Sequence, residues 1–263
     1  MGRTLSVAQG AAGRNARRGE RQEIVKPSEM ISARPVAGRT LSLPAMKCYN
    51  LMLGVAQANN FADERYSISK KELRRSHKGN ERLSTLLDEL HSVVFMISGT
   101  LNGKPGLWRM SLLAPSFEED GDEDTGNVHF RFPPELLSII QHSEQWAILL
   151  SKAVIKFESL YALRLYEIGC LYINRQVPLL WLTPDELRRT MQVPKGAYSD
   201  WANLRRRVID KAVAEINKLA DFTVSVPEDK IRRRGRAVTK FMLLFAPKPD
   251  TASAVPAPVA ADA

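Results

Sequence analysis

Two segments set the organisation of the chain: SKKELRR at Ser69–Arg75 and TPDELRR at Thr183–Arg189. Each begins with a hydroxyl residue and has glutamate three positions later, which is the pattern of a capping box at the start of a helix. In the second copy, Pro184 takes the first helical position. A backbone N–H at that position makes no hydrogen bond within the helix, so the N–H that proline lacks is not needed there. Each segment therefore predicts the first turn of a short helix.

The same elements are predicted after both copies. After the first, apolar residues at helical spacing indicate another helix: Leu83, Leu86, Leu87 and Leu90. The dipeptide Asn102–Gly103 then indicates a β-hairpin. After the second copy, a long helix is predicted at 199–219, followed by alternating strands near 222–226 and 241–245. Helix, helix and hairpin thus occur twice, so we predict an α+β chain with two tandem winged-helix domains that form a pseudo-repeat.

Composition supplies the domain boundaries. Residues 1–40 contain many arginines and small residues but few large apolar ones, so we expect a disordered basic arm. Winged-helix domain 1 is assigned to residues 41–155 and winged-helix domain 2 to residues 156–246. The Ala/Pro-rich tail, residues 247–263, is expected to be disordered as well.

The formal net charge of the 263-residue chain is +9, which favours an anionic partner. Nucleic acid is the first candidate and an anionic membrane surface the second. No apolar run approaches the roughly 20 residues that span a bilayer, so no membrane segment is expected. Cys48 and Cys170 lie far apart in apolar contexts and are expected to be reduced core residues of a cytoplasmic protein.

An enzymatic role, a metal and a cofactor are not expected. The four histidines are isolated from one another: His77, His91, His129 and His142. The segment Gly99–Pro105 approaches a phosphate loop, but it is one residue short and has proline where a magnesium-binding hydroxyl belongs. The acidic segment 118–124 lacks the ligand spacing of a calcium loop and is expected to be solvated and mobile.

The long helix and the loop after it supply the candidate DNA contacts. On a helical wheel, apolar residues occupy one side of 201–219, while Arg205 lies near that side and is expected to turn outward from the helix start. Three consecutive arginines, Arg205 to Arg207, lie near the start of this helix. Positive charge at a helix N-terminus opposes the macrodipole, so a bound anion would explain why they are there. The basic loop that follows would be a wing beside a helix in the major groove. The predicted contacts are Asn203, Arg205, Arg206, Arg207, Lys211, Lys230, Arg232, Arg233, Arg234 and Arg236.

Two alternatives remain open at this level. The basic side of the long helix could be an ordinary solvated surface in which Arg206 pairs with Asp210. The first domain has a weaker basic cluster that either contacts the DNA backbone or lies at a dimer interface: Arg74, Arg75, Lys78 and Arg82.

Three segments resemble plasmid replication initiators of the Rep_3 superfamily. They are Ser159–Glu167, Thr183–Arg188 and Leu204–Asn217, the last leading to a Gly235–Arg236 hairpin. The likeness covers roughly residues 41–246. The apolar pair after Ser159 and the long basic N-terminal arm depart from the family pattern.

The resemblance implies a protein that binds repeated double-stranded sites, called iterons, at a plasmid origin. It also implies that monomers open the origin and recruit a host initiator ATPase and the replicative helicase. Dimers formed through the first domain would repress their own promoter. The alternative is a dimeric winged-helix transcriptional repressor, which uses the same helix and wing but binds an inverted repeat.

Overall fold

A computed structural model of the chain describes residues 3–18, 23–36, 39–76, 82–121 and 125–249. The chain divides into two compact units between Leu160 and Tyr161. This division lies close to the boundary placed after residue 155 from the sequence.

The helices of the first unit are α1 Arg3–Arg18, α2 Ser28–Ile31, α3 Leu43–Ala58, α4 Lys70–Leu73, α5 Leu83–Ser92, α6 Pro134–His142 and α7 Ser151–Val154. Its strands are β1 Glu23–Pro27, β2 Arg34–Pro35, β3 Tyr66–Ser69, β4 Phe95–Leu101, β5 Lys104–Met110, β6 Phe117–Glu118, β7 Asn127–Phe130 and β8 Trp146–Leu150. Within the described residues they form three antiparallel sheets, ordered β1-β8, β2-β4-β5 and β3-β7-β6.

The helix–helix–hairpin arrangement predicted for the first unit is confirmed. The Ser69 hydroxyl accepts a hydrogen bond from the Glu72 backbone N–H, which caps α4. The four leucines of α5 are all buried. Strands β4 and β5 are joined at Asn102 and Gly103, whose φ angles of 52° and 74° are those of a tight two-residue turn.

The prediction of a disordered arm over residues 1–40 is wrong for the described ranges 3–18 and 23–36. Helix α1 buries Leu5, Ala8 and Ala11 and packs on α3, α6 and β1. Alanines let two backbones approach closely, so this helix needs little large apolar surface. Strand β1 pairs with β8, which is distant in sequence, and composition does not reveal such pairing.

Replacing Leu5 with alanine is expected to destabilise the first unit by about 2 kcal/mol, because it leaves a cavity under α1. Urea denaturation would measure the change. Gln9→Ala is the matched control, since Gln9 is exposed on the same helix. Equal stability of the two variants would contradict the packing of α1.

The acidic segment is anchored at its start instead of being fully solvated. The buried Lys70 ammonium lies 2.5 Å from the Glu119 carbonyl oxygen and 3.2 Å from the Glu118 carboxylate. The Glu119 carboxylate lies 2.7 Å from His129 Nε2 and also accepts from the Asn127 backbone N–H. These hydrogen bonds, that from His129 first, lower the pKa of Glu119. Glu118 and Glu119 are therefore held by specific contacts, and residues 122–124 lie outside the described ranges.

The second unit contains helices α8 Leu160–Tyr172, α9 Pro184–Thr190, α10 Trp201–Leu204 and α11 Lys211–Leu219, with a π-helical turn at Arg205–Asp210 and a 3₁₀ turn at Glu228–Lys230. Its strands are β9 Leu179–Leu182, β10 Phe222–Ser225, β11 Arg232–Arg234 and β12 Ala237–Pro247. Strand β12 is the centre of the sheet, because β9, β10 and β11 all pair with it. Residues 250–263 of the predicted tail lie outside the described ranges.

The core of the second unit confirms the predicted strand pattern. Phe241, Leu243 and Phe245 of β12 are all buried, as their alternation predicts. The rings of Tyr166 and Phe222 are stacked with centroids 5.7 Å apart. The capping box at the start of α9 is complete, since the Thr183 hydroxyl accepts from the Glu186 N–H and the Glu186 carboxylate accepts from the Thr183 N–H.

Candidate nucleic-acid interface

The segment Trp201–Leu219, here called the long helix, begins at a capped end. The Asp200 carboxylate accepts from the Asn203 backbone N–H at 2.8 Å. The side that faces the sheet is buried: Leu204, Val208, Ile209, Ala212 and Ile216. The sequence predicts one uninterrupted helix here. Instead the middle is π-helical, a wider turn that occurs frequently at functional sites.

The opposite side of the long helix presents cations to solvent. Arg206, Arg207 and Lys211 are exposed, and the Arg206 guanidinium donates to the Asn203 side-chain oxygen at 2.9 Å. Asp210 lies 3.5 Å from Arg205, and among the described contacts it forms no ion pair with Arg206. Arg206 and Arg207 can therefore present planar donor groups to a ligand.

The basic loop after β10 folds into a second hairpin, here called the wing, residues 228–240. Strands β11 and β12 are connected by Gly235 and Arg236, and Gly235 has a φ of +61°, which this tight turn requires of its first residue. The exposed cations of the wing are Lys230, Arg232, Arg233, Arg234 and Arg236. The predicted basic residues are thus on the surface of one hairpin.

An aromatic ring holds the base of the wing. The Arg232 guanidinium carbon lies 4.9 Å from the centroid of the Trp181 ring, and the Lys240 ammonium lies 5.7 Å from it. Such cation–π contacts fix a flexible side chain without neutralising its charge. A register shift between Arg232 and Arg233 bends the strand at this point. The sequence did not indicate a role for Trp181.

An ion pair joins the start of the long helix to the start of the wing. The Arg205 guanidinium contacts the carboxylate of Glu228, the first residue of the wing. This contact links the two elements that the sequence predicts to act together. Arg205 itself does not turn outward: its side chain is 26% exposed and is paired with Asp210 and Glu228.

Two further arginines, which were not among the predicted contacts, hold segments of the chain that precede the long helix. The Arg188 guanidinium donates to the carbonyl oxygens of Tyr198 and Ser199 at 2.8 and 2.7 Å, which holds the loop that leads into the long helix. The buried Arg164 donates to the Thr190 carbonyl oxygen at the end of α9. Burial lowers the pKa of Arg164 to about 10, and Glu167 opposes that shift. Both arginines lie in segments that the sequence singles out: Arg188 in the second ELRR motif and Arg164 in Ser159–Glu167.

The weaker basic cluster of the first unit lies before α5. Arg75 and Arg82 are exposed and Arg74 is half-buried, whereas Lys78 lies outside the described residues. Helix α5 exposes Asp88 and has no counterpart to the three arginines of the long helix. The cluster therefore gives a less basic surface than that of the second unit.

The described residues contain no group of three His, Cys, Asp or Glu side chains placed to hold a metal ion. Within the same ranges, the helices all lack the length and apolar character needed to cross a membrane. Cys48 and Cys170 are free and buried, as expected, and burial raises the pKa of both thiols.

The fold and the paired basic helix and wing define a DNA-binding protein with two tandem winged-helix domains. The family model described as initiator replication protein, WH1, matches residues 23–170. The model described as initiator Rep protein, WH2, matches residues 183–245. The chain therefore belongs to the family of initiator Rep proteins, which confirms the resemblance found in its sequence.

A solved structure has the same fold. The crystal structure of the Pi initiator protein in complex with iteron DNA matches with a TM-score of 0.63 and 16% sequence identity. The match covers 87% of this chain and 98% of that one. The curated proteins gave no significant match.

Proposed function

We propose that the protein initiates plasmid replication by binding directly repeated sites, or iterons, in the origin through its second unit. The observation that carries this proposal is the contact between Arg205 and Glu228, which sets the basic wing beside the basic end of the long helix. One duplex could contact both elements at once. Family membership and the iteron DNA bound in the Pi structure support the choice of ligand.

The two elements are assigned different tasks. Asn203, Arg206 and Arg207 carry the side chains that recognise base edges in the major groove, where arginine suits guanine and asparagine suits adenine. The exposed wing arginines hold phosphates and set the register of the protein on the duplex. This division implies that sequence preference depends on the helix and salt dependence mainly on the wing.

The later steps of initiation form the second part of the proposal. Bound monomers open the origin and recruit a host initiator ATPase and the replicative helicase, in the cytoplasm where plasmid DNA is replicated. The protein acts by binding, without a catalytic step of its own. These assignments are supported by the family resemblance, and they depend on the DNA binding proposed for the second unit.

Dimers that repress the promoter are assigned to the first unit. Strand β5 is the edge of its sheet, and the hairpin exposes Leu101 and Leu107 at 59% and 58%. An open strand edge with exposed leucines favours pairing with a second copy. A contact of Arg75 and Arg82 of the same unit with the DNA backbone is compatible with this assignment.

A nuclease footprint on the plasmid that carries the gene tests the function. We expect several protected sites in the same orientation beside an A·T-rich segment, with binding that weakens steeply as salt rises. Protection of a single inverted repeat at the promoter would support a dimeric repressor instead. An origin without repeated protected sites would rule out the initiator.

A further inference from the structure

Arg205 differs from the other arginines of the long helix in what it contacts. Its Nε lies 3.5 Å from Asp210, and its Nη2 contacts Glu228 of the wing. Arg206 and Arg207, which follow it directly, are exposed on the helix surface. Three consecutive arginines thus have two different surroundings.

The position of Arg205 on the helix explains the difference. It follows the buried Leu204 and lies beside the apolar side of the helix, where the wing begins. Since an arginine has a long apolar stem, its charged end can reach the Glu228 carboxylate from that position. The hydrogen bond to Glu228 is the main cause that raises the pKa of Arg205, and the same bond lowers the pKa of Glu228.

We infer that Arg205 is a positioning residue, whose ion pair with Glu228 holds the wing beside the long helix so that one duplex meets both. This inference rests on the proposed DNA binding. It assigns the base contacts to Arg206 and Arg207 and removes Arg205 from them. It also gives Glu228, an anion within a basic surface, a role in binding a polyanion.

For Glu228→Gln, the inference predicts a change in DNA affinity opposite to the change that charge alone predicts. Glu228→Gln removes a negative charge from the DNA-binding surface, so simple electrostatics predicts tighter binding. If the ion pair positions the wing, Glu228→Gln instead weakens binding, by about 1.5- to 5-fold, the range expected for an exposed ion pair. The adjacent Asp229 offers a matched control, because it pairs only with the neighbouring Lys230, at 2.7 Å, among the described contacts.

The experiment measures the affinity of the full chain for the footprinted duplex at several salt concentrations. We expect Glu228→Gln to bind more weakly than wild type at each salt concentration, because the phosphate contacts of the wing are less well placed. Asp229→Asn should bind as tightly as wild type or tighter. The exchanged pair Arg205→Glu with Glu228→Arg keeps the net charge and should bind more tightly than Glu228→Arg alone, although charge alone favours that more basic single variant.

The outcomes separate this inference from the proposed function. Binding by Glu228→Gln that is as tight as that of Asp229→Asn would overturn the positioning role while leaving DNA binding intact. Failure of the exchanged pair to improve on Glu228→Arg would overturn it too. Absence of repeat-specific binding by the wild-type protein would instead refute the proposed function.

Discussion

Replacing both Arg206 and Arg207 with alanine is expected to weaken binding to the cognate repeats by about 100-fold. Both side chains are exposed on the outer side of the long helix, at the end that lies next to the wing. A bidentate arginine–guanine contact contributes about 1–3 kcal/mol of discrimination, and two contacts near the lower half of that range give this factor. Binding to a duplex of scrambled sequence should fall much less.

Titrations with the cognate and the scrambled duplex at one salt concentration would measure both effects. The matched control is the double variant Arg233→Ala with Arg234→Ala, which removes the same charge from the wing. It should weaken both duplexes alike and reduce the slope of affinity against salt by about two. Equal, sequence-independent losses from the two double variants would mean that the long helix does not recognise bases.

Replacing Gly169 with valine is expected to destabilise the second unit by about 3 kcal/mol. Gly169 lies inside α8, where a Cβ atom would be 2.5 Å from two carbons of the Phe222 ring and 3.2 Å from the Phe245 ring. Both rings are buried, and Phe222 is stacked on Tyr166, so none of them can move away cheaply. Loss of this packing should also lower the temperature up to which the protein binds DNA.

Thermal and urea denaturation of Gly169→Val would test this expectation, with DNA binding as a second measurement. Gly13→Val is the matched control, because Gly13 also lies within a helix but a Cβ there would meet nothing within 4 Å. Its stability should stay within about 0.5 kcal/mol of wild type. A Gly169 variant as stable as that control would contradict the close approach of α8 to Phe222.

Local patterns predicted the elements of the second unit well. The capping box at Thr183 and Glu186 and the alternation through Phe241 to Phe245 depend on residues close in sequence, and the structure agrees with both. The basic residues of the long helix and of the wing could also be located from the sequence, because each cluster consists of residues close in sequence. Their assignment as DNA contacts remains a prediction.

What the sequence failed to predict depends on pairing between distant residues. Helix α1 packs through small residues such as Ala8 and Ala11, and a segment rich in small residues resembles disordered chain in composition. Arg205 contacts Glu228, which lies beyond strand β10 in the sequence. The buried carbonyl contact of Arg164 is likewise a tertiary interaction. A helical wheel gives the side on which a residue lies, but it does not give the partner.

The pairing of β1 with β8 limits where the first unit can be divided. Residues Glu23–Pro27 hydrogen-bond along Trp146–Leu150, whose Ala147 and Leu149 are buried. A shortened protein starting at residue 41 would leave that strand with a bare, apolar edge of the kind that drives aggregation. Fragments prepared for crystallisation or for solution measurements should therefore keep the N-terminal strand.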